Sequence, residues 1–354
     1  MGSSNTTIEW TDRTWNPLRG CTRVSQGCTN CYAERIAYRF SGPGKAFEGL
    51  AKKVGNKARW TGRVKLLEKE LDTPGTWTKP SMVFVNSVSD LFHTEVPDWF
   101  IDEVFLTMAV YQQHTFQVLT KRPERAVEYF KGVAARMKAN DGFFYPKRNN
   151  TKVKIHESAF PLENVWIGVS VEDQKTADER IPLLLNIPAA VRFLSCEPLL
   201  GPIDLSRSYP CGYYCDETDE WGHHDHPFIT PGIRSQIDWI IAGGESGPGA
   251  RPAHPDWFRS LRDQCQFAQV KFFFKQWGNW QVTYDRDVDD PDWRNCPDSK
   301  NDNKGRYLNL EGGWGFHGRR VVFVRNVGKK VAGRELDGRT WDEIPEVETT
   351  EALA

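Results

Sequence analysis

The stretch Val165-Trp-Ile-Gly-Val-Ser170, followed by Val171-Glu-Asp173, decides the fold because its pattern recurs along the chain. A short apolar run rich in β-branched and aromatic residues predicts a buried strand. Five further runs have this character: Met82–Asn86, Phe116–Thr120, Val191–Ser195, Ile237–Ala242 and Val270–Lys275. Amphipathic segments such as Asp98–Gln113 and Pro255–Gln266 lie between the runs and indicate helices. Repeated strand–helix units predict a parallel sheet covered by helices.

The number of strands favours a barrel. With a first strand expected around Thr7–Trp10, the runs fit a complete or partial (β/α) TIM-like barrel better than a doubly wound sheet. No Gly-x-Gly-x-x-Gly turn follows the first strand, which argues against a dinucleotide-binding fold. The expected organisation is a barrel-like domain at 1–280 with insertions near 139–163 and 206–236, a C-terminal extension at 281–344 packed on the barrel, and a disordered tail at 345–354.

Composition limits the class of protein. The chain has 354 residues, with 46 Lys and Arg against 47 Asp and Glu, which argues against a protein that coats nucleic acid through bulk charge. A local groove stays open, because six basic residues surround Trp60: Lys52, Lys53, Lys57, Arg59, Arg63 and Lys65. Basic residues interleaved with aromatic ones are typical of single-stranded nucleic-acid grooves, and also of ordinary solvated surfaces. The chain has neither an apolar run of membrane-spanning length nor a signal-peptide pattern, so we expect a cytoplasmic protein without a membrane partner.

Three cysteines carry the strongest chemical signal. Cys21, Cys28 and Cys31 have the spacing C-x6-C-x2-C, and three thiolates so close in sequence can converge on one inorganic centre. A structural zinc site or a fully ligated four-iron cluster needs a fourth ligand, yet no His or Cys follows for about sixty residues. Three ligands on a four-iron cube leave one iron open to bind another molecule.

A second set of functional candidates follows the predicted strands. Active sites of (β/α) barrels form where the carboxyl ends of the strands meet. Capping of the next helix explains a Ser, Thr or Asp at such a position, but not a Lys-Arg pair, three glutamates and a cysteine. We therefore expect the strand-end residues to share one site: Asp90, Lys121, Arg122, Glu172, Cys196, Glu197, Gly243, Gly244, Glu245 and Lys275.

The insertion near 206–236 contains a candidate zinc site. Cys211, Cys215, His223 and His226 have the ligand types of a closed tetrahedral zinc site, at roughly the right separation. The alternative is a loop with free thiols and surface histidines.

Several short motifs together resemble a phage- and prophage-associated family that carries a three-cysteine motif. The matching segments are Thr7–Thr11, Thr14–Pro17, the cysteine run that ends in Cys31–Glu34, Ser89–Phe92, Thr120–Pro123, Gly168–Glu172, Ser195–Pro198, Gly243–Gly247 and Lys275–Gly278. They span roughly residues 6–280. The chain has a wider resemblance to radical S-adenosylmethionine enzymes, whose usual spacing is C-x3-C-x2-C, so the first gap is longer here.

The wider resemblance implies a [4Fe-4S] cluster on Cys21, Cys28 and Cys31, with S-adenosylmethionine on the open iron. It implies that a carboxylate holds the methionine ammonium and that a basic residue pairs with the methionine carboxylate. The candidates for these cofactor contacts are Asp90, Glu172, Glu245, Lys121 and Arg122. Gly243-Gly244-Glu245 has the composition of the superfamily motif that contacts the amine, although it follows a late strand rather than an early one.

Cys196, Glu197 and Lys275 are candidates for catalysis. Cys196 could donate a hydrogen atom, because thiols have weak S–H bonds, or it could be a small buried hydrophobe. Glu197 is a candidate polar contact in the site. For each acid–base pair, the alternative role is a structural ion pair across the barrel mouth.

The leading hypothesis is an iron–sulfur, radical S-adenosylmethionine-like enzyme that modifies a nucleotide or a nucleic-acid base. Such an enzyme needs an electron donor such as flavodoxin or ferredoxin. The alternative is a non-catalytic nucleic-acid-binding protein of phage origin, stabilised by a metal or cluster. A metal-dependent hydrolase is disfavoured, because His93 is the only histidine near a strand end.

Overall fold

The computed structural model describes residues 6–144, 154–206, 236–285, 303–315 and 319–346, and the backbone of 208–210 and 225–227. In the described residues, strands β1 to β18 span, in chain order, Arg13–Trp15, Leu18–Arg19, Ala51–Val54, Lys57–Trp60, Lys65–Leu66, Met82–Val85, Thr115–Thr120, Phe143–Phe144, Ile155–His156, Val165–Ser170, Val191–Cys196, Ser208–Pro210, Asp225–Pro227, Trp239–Gly243, Lys271–Gln276, Trp280–Tyr284, Gly305–Asn309 and Val321–Asn326. Helices α1 to α6 span Tyr32–Arg39, Asp98–Val110, Pro123–Lys138, Gln174–Leu185, Pro255–Ala268 and Lys329–Ala332.

Seven strands form one parallel sheet in the order β1-β6-β7-β10-β11-β14-β15. The sheet curls into a half-barrel whose edges are β1 and β15, which confirms the prediction of a partial barrel of parallel strands. The first strand is Arg13–Trp15, so the expectation of a strand at Thr7–Trp10 is wrong. Trp10 instead places its indole ring in the apolar cluster on the inner face of the sheet, against Phe84.

Alternating side chains along the strands supply two apolar cores. In β14, Ile240 and Ala242 face the helices, whereas Trp239 and Ile241 face the inside of the curl. This period of two places successive side chains on opposite faces of the sheet. The helix-side core is the larger and includes residues of α2, α3, α4 and α5.

The inner face changes character along the strands. Near their amino ends it is filled by six aromatic side chains: Trp10, Phe84, Trp166, Phe193, Trp239 and Phe273. Further along, Ser170 and Ser195 are directly paired across β10 and β11 and face the same side. Lys275, two residues after Phe273, also faces inward. The inner face is therefore apolar at one end and polar at the carboxyl end, where a cavity opens.

Smaller elements pack around the half-barrel. β3 and β4 form an antiparallel hairpin that contacts α1. β16, β17 and β18 form a separate antiparallel sheet. Residues Trp341–Glu343 run beside β15, where the Phe274 N–H donates to the Trp341 carbonyl, so part of this sheet edge is covered. No helix in the described ranges is both long and apolar enough to cross a membrane.

The predicted zinc ligands cannot be placed. Cys211, Cys215 and His223 lie outside the described residues, and His226 belongs to β13, of which only the backbone is described. The predicted tail also lies outside them from residue 347 onward.

A buried histidine at the start of α5 leads to a pH-dependent prediction. His254 Nδ1 accepts from the Asp256 N–H, and Nε2 donates to the Arg320 carbonyl, 3.1 Å away, so the neutral ring satisfies both bonds. Burial lowers the pKa of His254 from 6.5 to about 4. Between pH 6.5 and pH 4, His254 is protonated in the unfolded chain but neutral in the folded protein. The free energy of unfolding should therefore fall by about 3 kcal/mol as the pH drops from 6.5 to 4.

His254→Asn keeps an uncharged cap and should flatten that pH dependence, as measured by urea unfolding from pH 7 to pH 4. His156→Asn is the matched control, because His156 caps a short helix in the same way but is exposed. An equal slope in wild type and His254→Asn would contradict the assignment.

Candidate functional site

The three cysteines lie in a loop that crosses the mouth of the half-barrel. The loop contains one turn of 3₁₀ helix, Gln26–Cys28, in which the Cys28 N–H donates to the Ser25 carbonyl. Cys31 is the N-cap of α1, so the helix begins directly after the third cysteine. All three thiols are free and partly exposed, and all three residues line the cavity at the carboxyl ends of the strands.

The cavity has a volume of about 550 Å³. This lies within the range of small-molecule sites, roughly 300–1,000 Å³. Its walls are the cysteine loop, α1 and the ends of the parallel strands. Of the strand-end residues predicted from the sequence, seven line it: Asp90, Lys121, Arg122, Glu197, Gly244, Glu245 and Lys275.

Arg122 and Asp90 hold the start of the cysteine loop. Arg122 is buried and donates from Nη1 to Asp90 Oδ2 at 2.8 Å and from Nη2 to the Thr22 carbonyl at 2.9 Å. The same Nη1 lies 3.8 Å from Cys21 Sγ. Asp90 also accepts from the Thr120 hydroxyl at 2.8 Å. Arg122 and Asp90 therefore form an ion pair that positions Cys21. We call each such ion pair that holds the cysteine loop a clamp.

Glu172 holds the middle of the loop. It is almost fully buried and pairs with Lys121 and with Arg180, whose Nη1 lies 3.0 Å from Oε2. Ser25 donates its hydroxyl to Glu172 Oε1 at 2.9 Å. Arg180 also donates to the Ser170 carbonyl at 2.7 Å, which ties the clamp to β10.

Gly27 is required by this clamp. A Cβ atom at this position would lie 2.3 Å from Glu172 Oε1, and two cations prevent the carboxylate from moving away. We expect Gly27→Ala to displace the loop and to lower the free energy of unfolding by about 1–3 kcal/mol, as measured by urea denaturation. Gly132→Ala is the control, because a Cβ there would make only an ordinary contact, 3.6 Å from Arg136 Nη1, and the alanine should slightly stabilise α3. A urea midpoint that is unchanged in Gly27→Ala would contradict the clamp.

Glu245 holds the end of the loop. Arg251 donates to its two carboxylate oxygens at 2.9 and 2.7 Å, and the Asn30 amide donates to Oε2 at 3.0 Å. Burial alone raises the pKa of Glu245, but these hydrogen bonds outweigh it and lower the pKa below its usual value. Arg251 also donates to the Gln26 carbonyl at 3.0 Å, so this third clamp contacts the loop on both sides of Cys28.

Glu197 and Lys275 differ from the three clamps. Their charged atoms are 3.1 Å apart on the cavity wall, and neither contacts the cysteine loop by a hydrogen bond within the described ranges. Gly243 makes room for the pair, because a Cβ there would lie 2.6 Å from Glu197 Oε1. A carboxylate and an ammonium side by side on a cavity wall can exchange their mutual contact for the opposite charges of a ligand.

The structure does not bring Cys196 to the cavity. Its side chain belongs to the helix-side core, on the opposite face of β11 from Ser195, and it is fully buried. Burial raises the pKa of this thiol well above its usual range. It therefore occupies the position of a small core hydrophobe, because a period-two strand cannot aim Ser195 and Cys196 at the same side.

Asn86 is a candidate that the sequence did not single out. It follows β6, lines the cavity and is buried, with a positive φ of 64°. Neither its amide nitrogen nor its amide oxygen has a hydrogen-bond partner in the described part of the protein. Buried polar groups without partners are costly, which marks this amide as a group available to a ligand.

Glu34 is a second residue that sequence reasoning missed. It is buried in α1 and pairs with Arg23 of the cysteine loop at 2.6 Å and with Arg59 of β4 at 3.4 Å. Arg23 also donates to the Thr29 carbonyl at 2.7 Å. The position of Glu34 in the Cys31–Glu34 motif was the available signal, but sequence alone did not show what it contacts.

Burial favours the protonated thiol at two of the three cysteines. Burial raises the pKa of Cys21 to about 12, with Asp90 acting in the same direction and Arg122 against it. Burial also raises the pKa of Cys31. Both thiols stay protonated at neutral pH unless a metal centre displaces the protons.

A four-iron cluster and a single metal ion would use the three cysteines differently. Among the described residues, no three His, Cys, Asp or Glu side chains are grouped as one metal ion would require. A four-iron cluster makes a different demand, because each thiolate binds a separate iron atom. Cys21, Cys28 and Cys31 lie on the wall of one cavity, and its described lining contains no histidine and no fourth cysteine.

Comparisons with known proteins give one match. Searches of curated proteins and of solved structures found no match. The sequence profile of one family, described as a protein of unknown function (DUF5131), matches residues 5–345. This chain therefore belongs to the DUF5131 family.

Proposed function

We propose that this chain is an iron–sulfur enzyme of the radical S-adenosylmethionine type. In this proposal Cys21, Cys28 and Cys31 hold a [4Fe-4S] cluster, and the enzyme modifies a nucleotide or a nucleic-acid base. The observation that carries the proposal is the placement of three free thiols over a cavity at the carboxyl ends of a parallel half-barrel. The lack of a fourth Cys or His in the described lining favours an iron that is free to bind a ligand.

The bound cluster would supply a low-potential electron to a sulfonium ligand. The chain's own residues would bind and orient that ligand. Glu197 and Lys275 are the charged pair best placed to meet an α-ammonium and an α-carboxylate. Asp90, Glu172 and Glu245 are committed to the loop clamps, so they would act by positioning the cysteines.

The lining also suits a planar base. Trp10 and Phe84 offer apolar surface, and Asn86 offers a donor and an acceptor side by side. A carboxamide can bind adenine through two hydrogen bonds, to N6 and N7. An adenosine-containing ligand would therefore satisfy the amide that is otherwise unpaired.

Asn86→Gly tests this role. Glycine accepts the positive φ and removes the unpaired amide, so the free energy of unfolding should not fall by more than about 1 kcal/mol. Binding of S-adenosylhomocysteine, measured by titration calorimetry, should weaken about tenfold. Asn56→Gly, in the exposed turn between β3 and β4, should leave binding unchanged. Equal affinities in all three proteins would contradict the assignment of Asn86.

The activity itself is tested with anaerobically reconstituted protein, dithionite and S-adenosylmethionine. The proposal predicts 5′-deoxyadenosine and methionine in equal amounts. One electron would break the bond between sulfur and the 5′ carbon and release methionine, and the 5′-deoxyadenosyl radical would take a hydrogen atom from the nucleic-acid substrate or, without substrate, from the reductant or buffer. Failure to form 5′-deoxyadenosine, with or without added nucleic acid, would favour the non-catalytic alternative, a cluster-stabilised nucleic-acid-binding protein.

A further inference from the structure

A strongly basic surface adjoins the cavity. It consists of α1 and the β3–β4 hairpin with their flanking residues, Tyr32–Lys65, and is called the basic surface below. This stretch contains nine Lys and Arg against two Glu, whereas the whole chain has 46 basic and 47 acidic residues. This stretch is therefore basic within a chain that is close to neutral overall.

One face of α1 combines aromatic, apolar and basic side chains. Tyr32, Ile36 and Phe40 follow one another at intervals of four, and they are 45%, 39% and 44% exposed. Residues four apart lie on one side of a helix, so these three form a row about 12 Å long. Arg35 and Arg39, also exposed and four apart, form a neighbouring row. Tyr32 and Ile36 line the cavity, so the row begins there and leads outward.

The hairpin adds lysines that pair with no acidic residue among those the structure describes. Lys52, Lys53 and Lys57 are exposed, and in the described ranges none pairs with a carboxylate. Arg59 of the same hairpin instead pairs with the buried Glu34. Arg59 therefore connects the hairpin to α1 through its ion pair, whereas the three lysines are exposed to solvent.

We propose that the basic surface docks a single-stranded nucleic acid and places one of its bases in the cavity. Unpaired cations suit a phosphate backbone, and exposed rings offer stacking surfaces that only unpaired bases can use. A cavity enclosed by the cysteine loop and the strand ends admits one extruded base but no duplex. That the docked strand is the substrate rests on the proposed function, whereas the docking itself does not.

Fluorescence anisotropy with a labelled single-stranded DNA of about 16 nucleotides tests the docking. The triple variant Lys52→Glu, Lys53→Glu, Lys57→Glu should bind about tenfold or more weakly than wild type. It should also lower the dependence of log K on log salt by about two, because roughly 0.7 counterion is released per neutralised phosphate.

The matched control carries the same change in charge far from the cavity. Lys79→Glu, Lys131→Glu, Lys271→Glu alters exposed lysines on α3 and near the amino ends of β6 and β15. For the rings, Phe40→Ala should weaken binding about tenfold, whereas Phe267→Ala, on the most exposed aromatic ring of α5, should not. Circular dichroism of each variant verifies folding.

Equal weakening by both lysine triples, or equal affinity for a duplex of the same sequence, would overturn the docking. The outcome is separable from the proposed function. Protein that cleaves S-adenosylmethionine but shows no preference for the single strand refutes the docking alone. Binding that depends on the basic surface without cleavage supports the docking and refutes the proposed enzyme.

Discussion

Cys28→Ala is expected to reduce the iron of anaerobically reconstituted protein from about four atoms per chain to less than one. Formation of 5′-deoxyadenosine should fall below detection in the same preparation. The reason is that the described cavity lining offers no fourth Cys or His to replace a lost ligand. Cys28 is partly exposed, so its replacement removes little packing, and the fold of the cluster-free protein should be retained.

Cys265→Ala is the matched control. Cys265 is fully buried in α5, within the helix-side core and away from the cavity. The Cys265→Ala substitution should lower the free energy of unfolding but leave iron content and activity unchanged. Iron content that is unaffected by Cys28→Ala, or lost equally in both variants, would be incompatible with a cluster on the cysteine loop.

Glu172→Gln is expected to lower the free energy of unfolding by about 3 kcal/mol. The substitution keeps the size of the side chain but removes the charge that compensates Lys121 and the buried Arg180. Breaking a buried pair in this way costs about 3–5 kcal/mol, because a cation is left without compensation. The measurement is urea unfolding of the cluster-free protein. Iron retention should also fall, since Ser25 loses its charged acceptor.

Glu179→Gln is the control for this substitution. Glu179 forms an exposed pair with Lys175, 3.9 Å away and one turn earlier in α4. Exposed pairs of this type contribute about 0.3–0.5 kcal/mol, so the variant should unfold almost like wild type. If both variants shift the urea midpoint equally, Glu172 does not act as a buried clamp.

The fold was readable from sequence where the strands are buried on both faces. Apolar runs such as Val165–Ser170 and Val191–Ser195 predicted strands that the structure places within a residue of those bounds. The first strand was misplaced because Trp10 is apolar without being in a strand. Its indole instead fills the inner face of the curl, a tertiary role that local propensity does not encode.

The site was predicted in part. Strand-end residues do gather at one cavity, as the barrel rule predicts. What sequence could not show is that Glu172 and Glu245 are occupied by arginines, because their partners Arg180 and Arg251 were not among the candidates. Cys196 was a candidate by position, and its orientation followed only from the register of β11.

The central claim is that Cys21, Cys28 and Cys31 hold a four-iron cluster with one iron open to S-adenosylmethionine. The most direct measurement is iron and sulfide content after anaerobic reconstitution, with electron paramagnetic resonance of the reduced protein before and after S-adenosylmethionine is added. We predict about four irons and four sulfides per chain and a cluster signal that changes when the ligand is added. Uptake of zinc alone under iron- and sulfide-replete conditions, or a cluster signal indifferent to the ligand, would contradict the claim.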